Sequence, residues 1–260
     1  MINVIYALFF REIKTRFGKN RRLGYALVIA EPMIQVVVIT SIITAIREHS
    51  RTIIMPQGIS IFMFLAVGII PFFMFRNILT QLMGGIQANL GLFAYKPVKP
   101  IHVFIARTLL ESFIFFFVIL LVFFLAQWVF GIYAVPKHFL EVYLCFVLLA
   151  FSGFCLGLCL TILNHLVEPS RKILPYTGIL LYIASAVVYP IWIVPTNLLE
   201  ILLYNPYIHI TETLKINYFD NYPVTEGIDI TYPIIFNLVI LFIGLWFYYY
   251  KRQELAADPL

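Results

Sequence analysis

Six long hydrophobic stretches follow one another along the chain, separated by short polar connections. A membrane-spanning helix needs about 20 mostly apolar residues, and each stretch is close to that length. The pattern therefore predicts an all-α polytopic membrane protein with six transmembrane helices. The approximate bounds of the six stretches are 27–46, 59–78, 104–132, 142–163, 173–194 and 234–250.

Composition indicates one membrane domain without a separate soluble unit. Of the 260 residues, 62% are hydrophobic and 12% are charged, about half the ~25% charged fraction of soluble domains. We therefore expect 1–260 to form a single transmembrane domain. Its expected parts are an N-terminal helix in 1–24, five spans in 25–194, a broken segment at 195–233, and a last span with a tail at 234–260.

The N-terminal segment is too charged to cross a membrane. Apolar residues recur every four positions from Ile5 to Phe17, and Arg11 and Lys14 lie roughly opposite them. This pattern predicts an amphipathic helix in the membrane interface. The alternative is a basic tail that only sets orientation. Met1 leads directly into this segment, so no removable signal peptide is expected.

The segment at 195–233 alternates short apolar pieces with turn residues such as Asn205, Pro206 and Gly227. It is too broken to span again. Short re-entrant helices would satisfy their own backbone groups at membrane depth. A plain folded external loop is the alternative.

Lys and Arg are distributed unequally between the two sides of the predicted bundle. Of 18 such residues, fourteen fall in the N-terminal segment, the tail and the connections that would lie on one side, and four fall on the other. Because basic residues favour the cytoplasmic side, both termini should be cytoplasmic and 195–233 external. The same asymmetry accounts for the net charge of +5 without a nucleic-acid partner.

Sequence signatures of enzymes are missing. The chain contains no G-x-x-x-x-G-K-[ST] phosphate loop, no H-E-x-x-H and no G-x-S-x-G, and its five histidines lack the spacing of metal ligands. Three cysteines, Cys145, Cys155 and Cys159, share one apolar stretch and are interpreted as small packing residues. No catalytic residue, metal or cofactor is expected in this chain, and energy from ATP would have to come from another polypeptide.

Four charged residues, Glu31, Arg76, Arg107 and Glu111, lie near the cytoplasmic ends of predicted spans. Residues in that position reach the interface at modest cost. We interpret them as partners in intramembrane ion pairs, in which Glu31 meets Arg76, Arg107 or a basic residue of the N-terminal segment. Substrate contact is the alternative. A proton-coupled transporter is less favoured because it needs an ionisable residue near the midplane, and the pattern places none there.

The predicted cytoplasmic loop at 87–100 carries more apolar surface than a solvated turn needs. A short helix there, docked in a groove of another protein, would cover those side chains. A turn resting on lipid is the alternative.

Four motifs in the same order carry a resemblance to a known family. They are FREIKTRFGKNRRLGYALVIAEP at 10–32, GIIPFFMF at 68–75, NLGLFAYKPVKPIHVFIAR at 89–107 and NPYIHITETLK at 205–215. Together they resemble permease subunits of ABC exporters for surface polysaccharides, most of all the capsular-polysaccharide (polysialic-acid-type) export permeases of Gram-negative bacteria. The chain departs from the family in having Ile29 and Ala30, where an aromatic residue commonly precedes the Glu-Pro pair.

The resemblance implies a homodimer of six-span subunits in the inner membrane, enclosing a channel. It also implies two copies of a separate ATPase that binds ATP and Mg, with periplasmic and outer-membrane capsule export proteins as further partners. By this resemblance 198–215 contributes to an external gate. The coupling helix that contacts the ATPase would contain Asn89, Leu90, Leu92, Phe93, Tyr95 and Lys96. The cytoplasmic entrance, where a lipid anchor is met, would contain Arg11, Lys14, Arg16, Lys19, Arg21 and Arg22.

The expected function is the export of a lipid-linked, acidic capsular polysaccharide, driven by ATP hydrolysis in the partner subunit. One alternative keeps the fold and changes the cargo to O-antigen, teichoic acid, a drug, haem or a lipid. Another is a secondary transporter or channel that works without ATP. A membrane-embedded glycosyltransferase is disfavoured, because the chain has no carboxylate cluster on a soluble face.

Overall fold

A computed structural model describes residues 2–16, 21–50, 55–56, 58–93, 95, 97–167 and 170–256. Within these residues all regular structure is helical, which confirms the predicted all-α class. The α-helices are α1 Ile2–Arg16, α2 Arg21–Ser50, α3 Ile61–Met83, α4 Leu90–Phe93, α5 Pro100–Trp128, α6 Phe139–Leu166, α7 Ser170–Ile173, α8 Thr177–Ala184, α9 Thr196–Leu202, α10 Pro206–Tyr218 and α11 Thr231–Ala256. Short 3-10 turns lie at Gln87–Asn89, Leu174–Tyr176 and Ile191–Ile193.

Five of the described helices, α2, α3, α5, α6 and α11, are long and apolar enough to cross a membrane. The fifth predicted stretch, 173–194, is different. Its helical part runs through α7, a 3-10 turn and α8 and ends at Ala184. At 1.5 Å per residue this part is about 22 Å long, shorter than the ~30 Å hydrocarbon core. The prediction of a continuous helix over this stretch is therefore wrong.

The chain turns sharply after α8. Ala186 adopts a φ of 51°, which a non-glycine residue rarely takes, and it is fully buried. The carbonyl oxygen of the next residue, Val187, lies against Gly68 of α3, where an added Cβ would be only 2.7 Å from it. The broken stretch thus packs backbone to backbone against the middle of the bundle.

Helix α3 is the core of the bundle. In its membrane-length window 78% of residues are buried, against 11% for α2 and 17% for α11, so α2 and α11 form the periphery. Gly157 allows α6 to pack closely on α3, because a Cβ there would lie 2.9 Å from Leu82. Small residues at a helix contact are typical of membrane bundles.

Two short helices, α9 and α10, occupy the segment at 195–233 for which short helices were predicted. Helix α10 begins beside the middle of α3, where the rings of Tyr207 and Phe75 are 4.7 Å apart. It ends at the connection between α5 and α6, where the backbone N–H of Lys137 donates to the carbonyl of Tyr218 over 3.0 Å. Almost every residue of α10 is buried or half-buried.

The predicted N-terminal helix is present, and the structure describes it over Ile2–Arg16. Its apolar face packs against the first half of α5, where Leu8 joins the buried Val103 and Ala106 in one cluster. The face predicted to rest in the membrane interface is therefore partly covered by protein.

Candidate functional sites

The 87–100 segment, which was predicted to contact an ATPase, folds as a 3-10 turn followed by α4. The Asn89 side chain points inward and is 2% exposed. Phe93 is half-buried and packs in the same cluster as Leu8 of α1. Of the other predicted contact residues, Leu90 and Leu92 are half-buried, Tyr95 is 66% exposed, and Lys96 lies outside the described residues.

The basic residues predicted at the cytoplasmic entrance are not equivalent. Arg11 donates from Nη1 to Oδ1 of Asn89 over 2.7 Å, so it joins α1 to the 87–100 segment. Lys14 is exposed. The remaining predictions concern side chains outside the part that the structure describes, those of Arg16, Lys19, Arg21 and Arg22.

Arg107 forms a buried ion pair with Glu12 of α1. The guanidinium Nε lies 3.3 Å from the Glu12 carboxylate, and both side chains are less than a tenth exposed. Arg107 also donates from Nη1 to the carbonyl of Gln81 over 2.7 Å. One guanidinium thereby connects α1, the end of α3 and the start of α5. Glu12 was not among the predicted residues, and its position next to Arg11 in a charged segment gave no sign of burial.

The other predicted ion-pair residues occupy different surroundings. The Arg76 guanidinium stacks over Phe73 with 4.4 Å to the ring centroid. Glu31, which is exposed, and Glu111, which is buried, line one cleft of about 310 Å³ between α2, α3 and α5. The rest of the cleft wall is formed by Pro32, Gln35, Asn77, Gln81, Ile114 and Phe115.

A second buried charge network lies in α10. Lys215, with no exposed surface, donates from Nζ to Oε1 of Glu212 over 2.8 Å and to the carbonyl of Ala186 over 2.6 Å. Its ammonium also lies 4.4 Å from the centroid of the Phe64 ring. Tyr222 donates from its hydroxyl to the other oxygen of Glu212 over 2.7 Å. Burial, together with the Glu212 carboxylate, raises the pKa of Tyr222, so this phenol stays protonated and able to donate.

Further hydrogen bonds connect α10 to the broken stretch. Asn205, which caps α10 by accepting from the N–H of Tyr207, donates to the carbonyl of Ala184 over 3.1 Å. Thr211 donates to the carbonyl of Ser185 over 2.7 Å. Carbonyls freed where α8 ends therefore find partners on α10, as buried backbone groups require.

From sequence, Glu212 and Lys215 were predicted only to lie in the external segment at 195–233, within the range 198–215 that the resemblance assigns to a gate. Their spacing of three residues inside a helical segment is the signal that a helix would place them side by side. Re-entrant helices were predicted for this segment, but nothing in the sequence indicated that these two charged side chains are buried.

These helices and their buried polar networks define a polytopic helical membrane protein. A family model, ABC-2 type transporter, matches residues 3–219. The chain therefore belongs to the ABC-2 type transporter family.

Several relatives align with almost the whole chain. Polysialic acid transport protein KpsM of Escherichia coli is 37% identical over 254 residues, covering 98% of this chain and 95% of that protein. Capsule polysaccharide export inner-membrane protein CtrC of Neisseria meningitidis is 28% identical over 245 residues, with coverage of 93% and 88%. The corresponding protein BexB of Haemophilus influenzae is 26% identical over 248 residues, with the same coverage.

Proposed function

We propose that this chain is the permease subunit of an ATP-driven exporter that moves lipid-linked capsular polysaccharide across the bacterial inner membrane. The observation that carries the proposal is the 37% identity to a polysialic acid transport protein over nearly the full length of both chains. Two further relatives named for capsule polysaccharide export align over 93% of this chain. The whole chain, 1–260, acts as one transmembrane domain.

Energy is supplied by a separate ATPase subunit that binds ATP and Mg. The absence of a phosphate-binding loop from this sequence supports that division of labour. Two permease copies form a homodimer around the passage and carry two ATPase copies, and periplasmic and outer-membrane capsule proteins continue the route. The exposed part of the 87–100 segment, including Gln87 and Tyr95, is the surface on which the ATPase acts.

The chain crosses the membrane six times, with both termini in the cytoplasm. The broken stretch at 173–194 serves as the fifth crossing, and α9 with α10 forms a re-entrant pair reached from the periplasm. Two observations support this arrangement. Basic residues favour one side of the bundle, and α10 extends from the middle of α3 to the connection between α5 and α6.

Transport follows from coupled conformational change. Closure of the ATPase subunits moves the 87–100 segment, shifts the helices and changes access of the glycan to the passage. Exposed basic residues of the N-terminal segment, such as Lys14, attract the anionic lipid terminus at about 1 kcal/mol each near an anionic surface. Replacement of the whole basic set by Gln is expected to weaken binding of lipid-linked substrate.

The direct test is deletion and complementation in the bacterium that carries this chain. Deletion should remove capsule from the cell surface and leave polysaccharide inside, and the purified chain should retain an ATP-hydrolysing protein. Capsule display that survives deletion would indicate another cargo. Transport that persists with no ATPase bound would identify a secondary transporter instead.

Orientation is tested by labelling single cysteines in intact cells. Val224→Cys, at a position that is 74% exposed in the 195–233 segment, should react with a membrane-impermeant reagent added outside. Gln87→Cys should react only after the cells are opened. Labelling of Gln87→Cys from outside would refute the proposed topology.

A further inference from the structure

Two consecutive residues of α1 make polar contacts in different directions. Arg11 bonds to Asn89 of the 87–100 segment, and Glu12 pairs with Arg107 at the start of α5. Residues of α1, the 87–100 segment and α5 also share the apolar cluster built on Leu8. Helix α1 is therefore attached to both of its neighbours.

The contact between Arg11 and Asn89 has a fixed geometry. Asn89 is 2% exposed, and its amide is used on both sides, because Oδ1 accepts from Arg11 and Nδ2 donates to the carbonyl of Gly85 over 3.0 Å. A buried amide with both groups satisfied has one preferred orientation, and its bond to a guanidinium is charge-assisted. Because Asn89 is 2% exposed and its amide oxygen and nitrogen each already have a partner, it offers an ATPase almost no surface to contact.

We propose that Arg11 and Asn89 form a mechanical joint through which movement of the 87–100 segment is transmitted to α1. On this view both residues are positioning residues: Asn89 does not touch the ATPase, and Arg11 does not touch the cargo. The ATPase moves the exposed part of the segment, and α1 moves with it as one unit. The inference rests on the proposed ATP-driven function and adds a route from the ATPase to the N-terminal helix.

The proposed joint gives Arg11 a different role from the other basic residues of the N-terminal segment. Arg11 is half-buried and one N–H of its guanidinium is bonded to a buried acceptor, whereas Lys14 is exposed and can meet an anionic lipid. A role in cargo attraction predicts that loss of Arg11 and loss of Lys14 have similar effects. The joint predicts instead that loss of Arg11 resembles loss of Asn89.

The first test compares single and double substitutions in the reconstituted complex with its ATPase. Arg11→Met and Asn89→Ala should each lower export per ATP hydrolysed by about tenfold, the order expected for losing one hydrogen bond to a charged group. The double variant should be no worse than Asn89→Ala alone, because that substitution already removes the contact with Arg11. Asn89→Asp keeps the acceptor for Arg11 but loses the donor to Gly85, so it should retain more coupling than Asn89→Ala. Asn3→Ala, at an exposed position of α1, is the matched control and should export normally.

The second test replaces the hydrogen bond by a covalent link. Arg11→Cys with Asn89→Cys is made in a background with the three native cysteines changed to alanine, and the pair is bridged by a bifunctional thiol reagent about as long as the arginine side chain. Bridging should restore coupling that the unbridged variant has lost, whereas a monofunctional reagent should not. Because the bridge carries no guanidinium, recovery cannot come from attraction of cargo.

Normal export by Asn89→Ala would overturn the joint, as would a bridged variant that stays uncoupled while still binding the ATPase. If Arg11→Met or Asn89→Ala does not accumulate in cells, Asn89→Asp and the bridged cysteine pair are measured instead, because both retain a link between positions 11 and 89. The wild-type complex reports separately on the proposed function. If it hydrolyses ATP but moves another cargo, the variants are scored on that cargo and the joint is still tested.

Discussion

Removal of the Lys215 ammonium is the sharpest perturbation of the α10 network. Lys215→Met keeps a flexible side chain of similar size. The Glu212 carboxylate stays buried, and of its two side-chain donors it keeps only the Tyr222 hydroxyl. The carbonyl of Ala186 loses its bond to the ammonium as well. A helix that is fully packed in the bundle would then hold an uncompensated carboxylate.

The magnitude follows from the burial of the pair. Lys215 is 0% exposed and Glu212 is 1% exposed, so solvent screens neither charge. Breaking such a pair from one side costs about 3–5 kcal/mol, which corresponds to a fall in unfolding temperature of roughly 10 °C for a domain of this size. Adding Glu212→Gln removes the stranded charge and should recover about 2 kcal/mol.

The assay is thermal unfolding of the purified protein in detergent, followed by loss of tertiary signal. Lys137→Met is the matched control, since Lys137 is exposed, and its effect should stay within about 0.5 kcal/mol. Unfolding of Lys215→Met within a degree of wild type would show that the buried pair does not stabilise α10. A lower unfolding temperature for the Lys215→Met/Glu212→Gln double variant than for Lys215→Met would show that the unpaired carboxylate is not the cause of the loss.

Two other substitutions test the packing of the bundle by the same assay. Gly68→Ala puts a Cβ 2.7 Å from the carbonyl oxygen of Val187 and should lower the free energy of unfolding by about 1–3 kcal/mol. Gly91 has open space around it, so Gly91→Ala is the control and should leave stability unchanged. Equal stability of the two variants would contradict the close backbone contact. Glu12→Gln removes the carboxylate charge that pairs with Arg107, but Arg107 keeps its bond to the carbonyl of Gln81. We therefore expect a loss of about 1–3 kcal/mol in the free energy of unfolding, smaller than for Lys215→Met. An unchanged unfolding temperature would show that this pair does not stabilise the bundle.

Long apolar helices were predictable from sequence because entry into lipid depends on the local run of side chains. The predicted stretch 104–132 corresponds to Pro100–Trp128, and 142–163 corresponds to Phe139–Leu166. Boundaries moved by three or four residues. The break after Ala184 was not predictable, because 173–194 is apolar on both sides of the turn and the groups that bond to the turn belong to α10 and its cap, Asn205.

The amino-acid sequence by itself determined the class of protein, the membrane-length helices and the presence of short helices before the last one. Those features depend on hydrophobicity and turn residues that are neighbours in the chain. Only the tertiary structure decided which polar and charged side chains meet across different helices. Arg107 meets a carboxylate 95 residues away, and Arg11 meets an amide 78 residues away. In a low-dielectric interior each charge needs a partner, and the partner is chosen by how the helices pack.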